Sequence, residues 1–312
     1  MAADIPSVEL NDGTTIPILG YGAGTKWFKR GEKNSFDRSL VDATKNAIKL
    51  GYHHLDGAEV YGTESELGVA IKESGVPRSQ LFVTTKVIDN IANIPKAIDE
   101  SLKKLQLDYV DLYAFYPQYI EDVKLTNMWT RYLIHSPFFA KSDEDLQKAW
   151  TEMEKVKESG KARSIGVSNW LQKHLEAILN TAKVVPSVNQ IEYHPYLQHD
   201  GLLAFHQSKG ITTVAYAPLT PATRAKGGPV DSTLEALAKK YDTTEGNILL
   251  RWAIDQGAVV VTTSSKESRL AQYLQTLKFK LTSAEVEEIK RLGDEKHYRA
   301  FWTKEFAPGD RS

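Results

Sequence analysis

Leu81-Phe-Val-Thr-Thr-Lys-Val87 and Tyr109-Val-Asp-Leu-Tyr113 are short apolar and β-branched runs, and the helix-period segment Ile94–Leu105 lies between them. Strand, helix, strand is the repeating unit of a parallel sheet, because parallel neighbours can only be joined by a long crossover. Working outward finds the same alternation. Leu19–Thr25 and Tyr52–Asp56 precede this unit; Ala162–Ser168, Ser187–Tyr193, Ile211–Pro218 and Val259–Ser264 follow it. Helix-period segments at Asn34–Leu50, Ser142–Ser159 and Leu234–Tyr241 lie among them. Such a series suits either a closed barrel or an open doubly wound sheet. The open dinucleotide-binding sheet carries G-x-G-x-x-G immediately ahead of a helix. Gly20-Tyr-Gly-Ala-Gly-Thr has the glycines, but its third is out of place and no helix start follows closely. No linker, low-complexity tract or sequence repeat divides the chain. The expected fold is therefore α/β: a (β/α)8 TIM barrel over residues 1–312 as one domain, with an N-terminal β-hairpin turned at Asp12-Gly13.

The chain has 312 residues, 41% hydrophobic and 25% charged, which is enough apolar surface to offset the entropy of ordering it. Lys+Arg number 39 against 40 Asp+Glu, so no electrostatic case exists for a nucleic-acid partner. No apolar run approaches the ~18 residues of a membrane span. Met1–Gly13 lacks the basic-then-apolar pattern of a secretory signal. There is no cysteine, which removes disulfides, thiolate metal sites and cysteine nucleophiles together and points to a reducing compartment. The expectation is a cytoplasmic protein, monomeric or weakly dimeric, whose partner is a small molecule rather than a membrane or nucleic acid.

Chemistry in such barrels sits at the C-terminal ends of the strands. Those ends carry Thr25, Asp56, Lys86, the stretch around His135, Asn169, Gln190, Tyr216 and Ser264, with Tyr61 in the loop after Asp56. Singly, each has a plain structural reading: an aspartate caps a helix, a strand-end lysine is solvated, a loop tyrosine packs with its hydroxyl in water. Together, a carboxylate, an amine, an imidazole and a phenol make equipment for moving a proton to a neutral substrate. A metal is not indicated. His53 and His54 are adjacent in a strand and point to opposite faces, and His194-Pro195 lacks a carboxylate–histidine cluster.

His54-Leu-Asp56-Gly-Ala-Glu-Val-Tyr61, Thr84-Thr-Lys86, Leu133-Ile-His135-Ser-Pro, Gly166-Val-Ser-Asn169 and Val188-Asn-Gln190-Ile-Glu-Tyr-His-Pro195 resemble the aldo-keto reductase superfamily over nearly the whole chain. Gly24-Thr-Lys-Trp27, Val261-Thr-Thr-Ser-Ser-Lys266 and Phe301-Trp302 look like its fungal branch of NADPH-dependent α-keto amide and conjugated polyketone (ketopantoyl lactone) reductases. The resemblance implies reduction of a small carbonyl substrate by NADPH. Tyr61 would be the proton donor, Lys86 would make that phenol more acidic, Asp56 would orient Lys86, and neutral His135 would hydrogen-bond the carbonyl oxygen. It further implies that Ser168, Asn169 and Gln190 hold the nicotinamide carboxamide while Tyr216 stacks on the ring. Gly24 and Thr25 join the cofactor set, and Ala217-Pro218-Leu219 wraps the pyrophosphate, with Ala217 where the family normally has Ser. Ser264, Ser265, Lys266 and Arg269 grip the adenosine 2′-phosphate at a helix start, in an order that differs from the common family form. Trp27, Tyr298, Phe301 and Trp302 are candidate substrate walls, with the C-terminal residues forming a substrate loop. An aldose- or xylose-type reductase and a catalytically impaired NADPH-binding regulatory barrel are the alternative readings.

The fourth strand carries an anomaly. Tyr109–Tyr113 reads straight into Leu133-Ile-His135 once Ala114–Tyr132 is removed. An insertion there interrupts a ladder on which both neighbours depend. The segment reads as an unspliced in-frame intron or a gene-model error, or else as a loop that bulges out while Leu133–His135 complete the strand.

Overall fold

A computed structural model of the chain describes residues 2–29, 35–87, 91–115 and 140–312. A hairpin opens it: β1 (Ser7–Glu9) pairs antiparallel with β2 (Thr15–Pro17), and Gly13 takes the left-handed backbone that the turn needs. Strands β3 (Leu19–Gly22), β4 (His54–Asp56), β5 (Phe82–Val87), β6 (Val110–Phe115), β7 (Ala162–Ser168), β8 (Val188–Glu192), β9 (Thr212–Tyr216) and β10 (Val259–Thr262) follow, and they close into a parallel barrel in sequence order. Every residue of β5 is buried, so its pattern does not alternate between apolar and exposed polar positions.

The helices between and after the strands are α1 (Arg38–Leu50), α2 (Glu64–Ser74), α3 (Ile94–Leu105), α4 (Asp143–Glu158), α5 (Gln172–Leu179), α6 (Leu202–Ser208), α7 (Thr220–Thr223), α8 (Asp231–Lys240), α9 (Glu245–Asp255) and α10 (Glu267–Tyr273), which packs on α1 and closes the ring, while α11 (Ser283–Asp294) packs on α9. The sequence pattern placed the first helix from Asn34, whereas α1 starts at Arg38. Asp37 caps it by accepting the Ser39 N–H, and Gly51 ends it in the left-handed region. Among the described residues no helix is long and apolar enough to cross a membrane.

Phe82, Leu112, Val188, Val214 and Val259 fill the barrel together with Leu10 and Ile16 of the hairpin. Phe82, Val188 and Val259 are the first residues of their strands, so the hairpin closes the N-terminal end of the barrel. The C-terminal end is left for chemistry. Packing outside the barrel is close. A Cβ on Gly68 of α2 meets the Leu105 carbonyl oxygen at 2.3 Å and its carbonyl carbon at 2.6 Å, and backbone at that distance cannot swing aside. Gly68→Ala is expected to cost about 1–3 kcal/mol through overpacking, read as a lower denaturation midpoint with unchanged m-value. An unchanged midpoint overturns this.

At β6 the structure departs from the sequence reading. The ladder does not stop at Tyr113: Ala114 pairs with Lys86 and Gly166, and Phe115 with Val87 and Val167. These two residues, assigned above to the insertion, are ordinary strand residues because both neighbouring strands extend far enough to pair with them. The remainder of the segment and Leu133–His135 lie outside the described residues.

Candidate active site

Asp56 ends β4, and Lys86 lies one residue from the end of β5. The pairing of Asp56 with Thr84 leaves Lys86 two residues further along the barrel, and its long side chain reaches back. The Lys86 ammonium donates to both Asp56 oxygens, at 2.8 and 2.9 Å, and to the Gly57 carbonyl at 2.7 Å. It is fully buried. A charged amine in that position is held by charge-assisted bonds or not at all. Burial works against the proton on Lys86, but the Asp56 charge and the neighbouring Tyr61 outweigh it and hold the amine above its ordinary value.

Tyr61 closes a 3₁₀ turn, Glu59–Tyr61, that follows β4 and ends on left-handed Gly62. Its ring centroid is 5.2 Å from the Lys86 ammonium. A Cβ on Gly24 would come within 2.9 Å of this ring, so glycine there lets the β3 loop close over the phenol. Phe28 meets Tyr61 edge-on at 6.0 Å and packs with it and Trp302 against Ala58 and Val60. Phe28 was missed in the sequence reading; Trp27, which was named, packs half-buried against the main core. Thr25 is exposed. The direction expected for Tyr61 is corrected by its surroundings. Burial pushes the phenol above its ordinary 10.0, and the positive charge of Lys86 only partly pulls it back. His135 lies outside the described residues.

The residues named for a nicotinamide form one connected polar row. Ser168 donates to the Gln190 carbonyl at 2.8 Å, Asn169 donates through Nδ2 to Ser168 Oγ at 3.2 Å, and the Tyr216 hydroxyl donates to Asn169 Oδ1 at 2.7 Å. Asn169 is in the left-handed region, which asparagine tolerates. The Gln190 side chain donates to Asp56 Oδ2 at 2.8 Å, joining this row to the Lys86 pair. Phe301 and Trp302 also arrive here. The Trp302 indole N–H donates to the Tyr216 hydroxyl at 2.9 Å, and Phe301 stands edge-on to the Tyr216 ring at 5.5 Å. Tyr298 is tied by its N–H to the Tyr196 carbonyl.

Beyond β9, Ala217 adopts a left-handed backbone and leads through Pro218 into Leu219. Leu219 lines a cavity of about 430 Å³ with Lys226, Thr244, Arg269, Gln272 and Tyr273 among its other walls. Of the residues named for the 2′-phosphate, Arg269 is in this wall. Ser265 and Lys266 are exposed at the start of α10, and Ser264 accepts the Lys266 N–H at 3.0 Å. Lys226, Thr244, Gln272 and Tyr273 escaped the sequence reading. Lys226 lies just beyond α7, separated from Leu219 by that helix, and nothing in its local sequence marked it. His54 is fully buried against Phe82, and burial lowers it to about 4, which keeps it neutral. Among the described residues no group of three histidine or acidic side chains is placed to hold a metal ion.

The parallel eight-stranded barrel thus carries a buried ammonium–carboxylate pair beside a phenol, and a cavity lined by Lys226 and Arg269. The Aldo/keto reductase family model matches residues 19–294, and the chain belongs to that family of oxidoreductases. It is 42% identical to the NAD/NADP-dependent indole-3-acetaldehyde reductase of Schizosaccharomyces pombe, over 93% of this chain and 96% of that one. It is 37% identical to the NADPH-dependent alpha-keto amide reductase of Saccharomyces cerevisiae, over 95% and 93%. The solved aldo-keto reductase of Bombyx mori in complex with NADP superposes with a TM-score of 0.78 at 34% identity, covering 93% and 94%.

Proposed function

We propose that the protein reduces aldehydes and ketones, with α-keto amides, α-dicarbonyls and cyclic diketones as the favoured substrates, using NADPH and with Tyr61 as the proton donor. The observation that carries this is the fully buried Lys86 ammonium, fixed by Asp56 and set beside the Tyr61 ring. Bound NADPH supplies a hydride to the carbonyl carbon. As the carbonyl oxygen gains negative charge it becomes a stronger base than a phenolate, and the Tyr61 hydroxyl gives it a proton. Lys86 stabilises the phenolate left behind, so its charge acts where negative charge develops rather than in the resting state. The raised resting value of Tyr61 keeps its proton in place until then. His135 is assigned the second hydrogen bond to the carbonyl oxygen. Residues 116–132 are assigned to an insertion in the fourth barrel strand, which a sequenced transcript lacking them supports and one containing them overturns as an intron.

The residues fit the cofactor at both ends. Tyr216, Asn169 and Ser168 form a hydrogen-bonded row at the strand ends, which supports a nicotinamide site there, while Lys226 and Arg269 bring two cations to a cavity large enough for an adenosine phosphate. Phe28 and Trp302 pack beside the phenol, and Phe301 stands against Tyr216, an aromatic surface that favours planar carbonyl compounds over polyhydroxylated sugars. Turnover of aromatic and aliphatic α-dicarbonyls and of a pentose, followed by NADPH absorbance, tests the reading. Greater kcat/KM for the dicarbonyls is expected, and no oxidation with any of them overturns it. A charge-assisted contact is worth about 1.5–3 kcal/mol. Arg269→Ala and Lys226→Ala are therefore each expected to raise the KM for NADPH roughly tenfold or more while leaving NADH unchanged. Equal effects on both nucleotides remove these cations from 2′-phosphate recognition.

A further inference from the structure

We infer that Glu192 is a positioning residue that latches the C-terminal tail across the barrel mouth and so sets the aromatic wall beside Tyr61. This rests on the proposed role of Tyr61. Glu192 is the last residue of β8 and pairs in register with Tyr216 of β9. Its side chain is almost fully buried, where polar oxygens are costly unless they are matched by donors. They are matched by the tail: Oε1 accepts the Ala300 N–H at 2.8 Å and Oε2 the Phe301 N–H at 3.0 Å. His194 Nε2 lies 2.9 Å from Oε1 and completes the set. Two adjacent backbone donors on one carboxylate fix both the height and the direction of the chain that passes over it.

The next residue shows the consequence. Trp302 has a φ of +64°, a strained backbone for a bulky side chain that persists only where the surroundings over-determine it. The constraint comes from the two Glu192 bonds just upstream, the bond of the Trp302 indole to the Tyr216 hydroxyl, and the Glu305 N–H that the Trp302 carbonyl accepts at 2.9 Å. Together they lay Trp302 beside Tyr61 and Phe28, and Phe301 against Tyr216 under the Arg224 guanidinium. Glu192 itself touches neither Tyr61 nor Lys86 in the contacts described. Its effect on substrate passes through the tail.

Hydrogen–deuterium exchange and steady-state kinetics on the full chain test this, with Glu192→Ala and Glu192→Gln compared with the parent. In Glu192→Ala, amide exchange across Ala300–Trp302 is expected to accelerate at least 30-fold while the amides of β7 and β8 keep their protection. KM for phenylglyoxal is expected to rise tenfold or more, with kcat for methylglyoxal within threefold of the parent. Glu192→Gln retains one acceptor oxygen and is expected to fall between the two; should the alanine variant fail to fold, it carries the same readouts. Unchanged tail exchange overturns the latch, as does loss of protection throughout the barrel or a parallel loss of kcat for both substrates. Absence of NADPH-dependent turnover in the parent overturns the proposed function instead, and the exchange data then decide the latch alone.

Discussion

Tyr61→Phe is expected to lower kcat for carbonyl reduction by about a thousandfold while changing the affinity for NADPH less than threefold. The substitution removes only the hydroxyl. The ring contacts with Gly24 and Phe28 survive, as does the approach of the ring to the Lys86 ammonium, so the fold has no reason to change. Lys86 keeps its three bonds to Asp56 and Gly57. What is lost is a positioned proton donor, an effect typically worth 10²–10⁴ in rate. The pH dependence of the parent carries the same assignment. Reduction needs the protonated phenol, which is present below its raised value and lost as pH climbs through it. The reductive kcat/KM is therefore expected to stay level from pH 6 to 9 and to fall only in strongly alkaline solution. Oxidation of the alcohol needs the phenolate and is expected to rise with pH over the same range. Activity of Tyr61→Phe within tenfold of the parent, or a reductive limb below pH 9, removes Tyr61 as the acid.

The barrel was legible in the sequence because strands buried on both faces, such as Phe82–Val87, read as short apolar and β-branched runs, and because helices with their own period separate them. Ile94–Leu105 was placed to the residue, since the capping asparagine at 93 and Gln106 in the left-handed region coincide with the ends of its pattern. Asp56 and Lys86 were legible for the same reason: they sit where strands stop. Two kinds of feature were not. The upward direction at Tyr61 depends on how deeply the loop buries the phenol, which no spacing records. The grip of Glu192 on Ala300 joins residues 108 apart, and neither end has a local signature, because a carboxylate in a strand and two backbone amides in a tail are common to any sequence. Lys226 was not legible either, because only the fold brings it into one cavity wall with Arg269 of α10.

Lys86→Met is expected to damage stability and activity together, and a second substitution separates the two. Methionine fills the channel of the lysine stem but leaves Asp56 nearly buried with its cation gone and the Gln190 amide as its remaining described side-chain donor. Removing one partner of a buried pair costs about 3–5 kcal/mol, because the other charge remains out of water. The thermal midpoint is expected to fall accordingly, and kcat/KM to drop at least a thousandfold, since the phenolate formed at Tyr61 then has no neighbouring cation. Lys86→Met with Asp56→Asn deletes the orphaned charge and keeps an oxygen facing Gln190. That double variant is expected to regain at least half of the lost stability and none of the lost turnover. Were Lys86 only a structural tie, activity would return with the midpoint. Were it only a catalytic cation, the single variant would be inactive at full stability. The geometry requires both losses, because the bonds that hold the ammonium in the barrel wall are the bonds that keep it charged beneath the phenol.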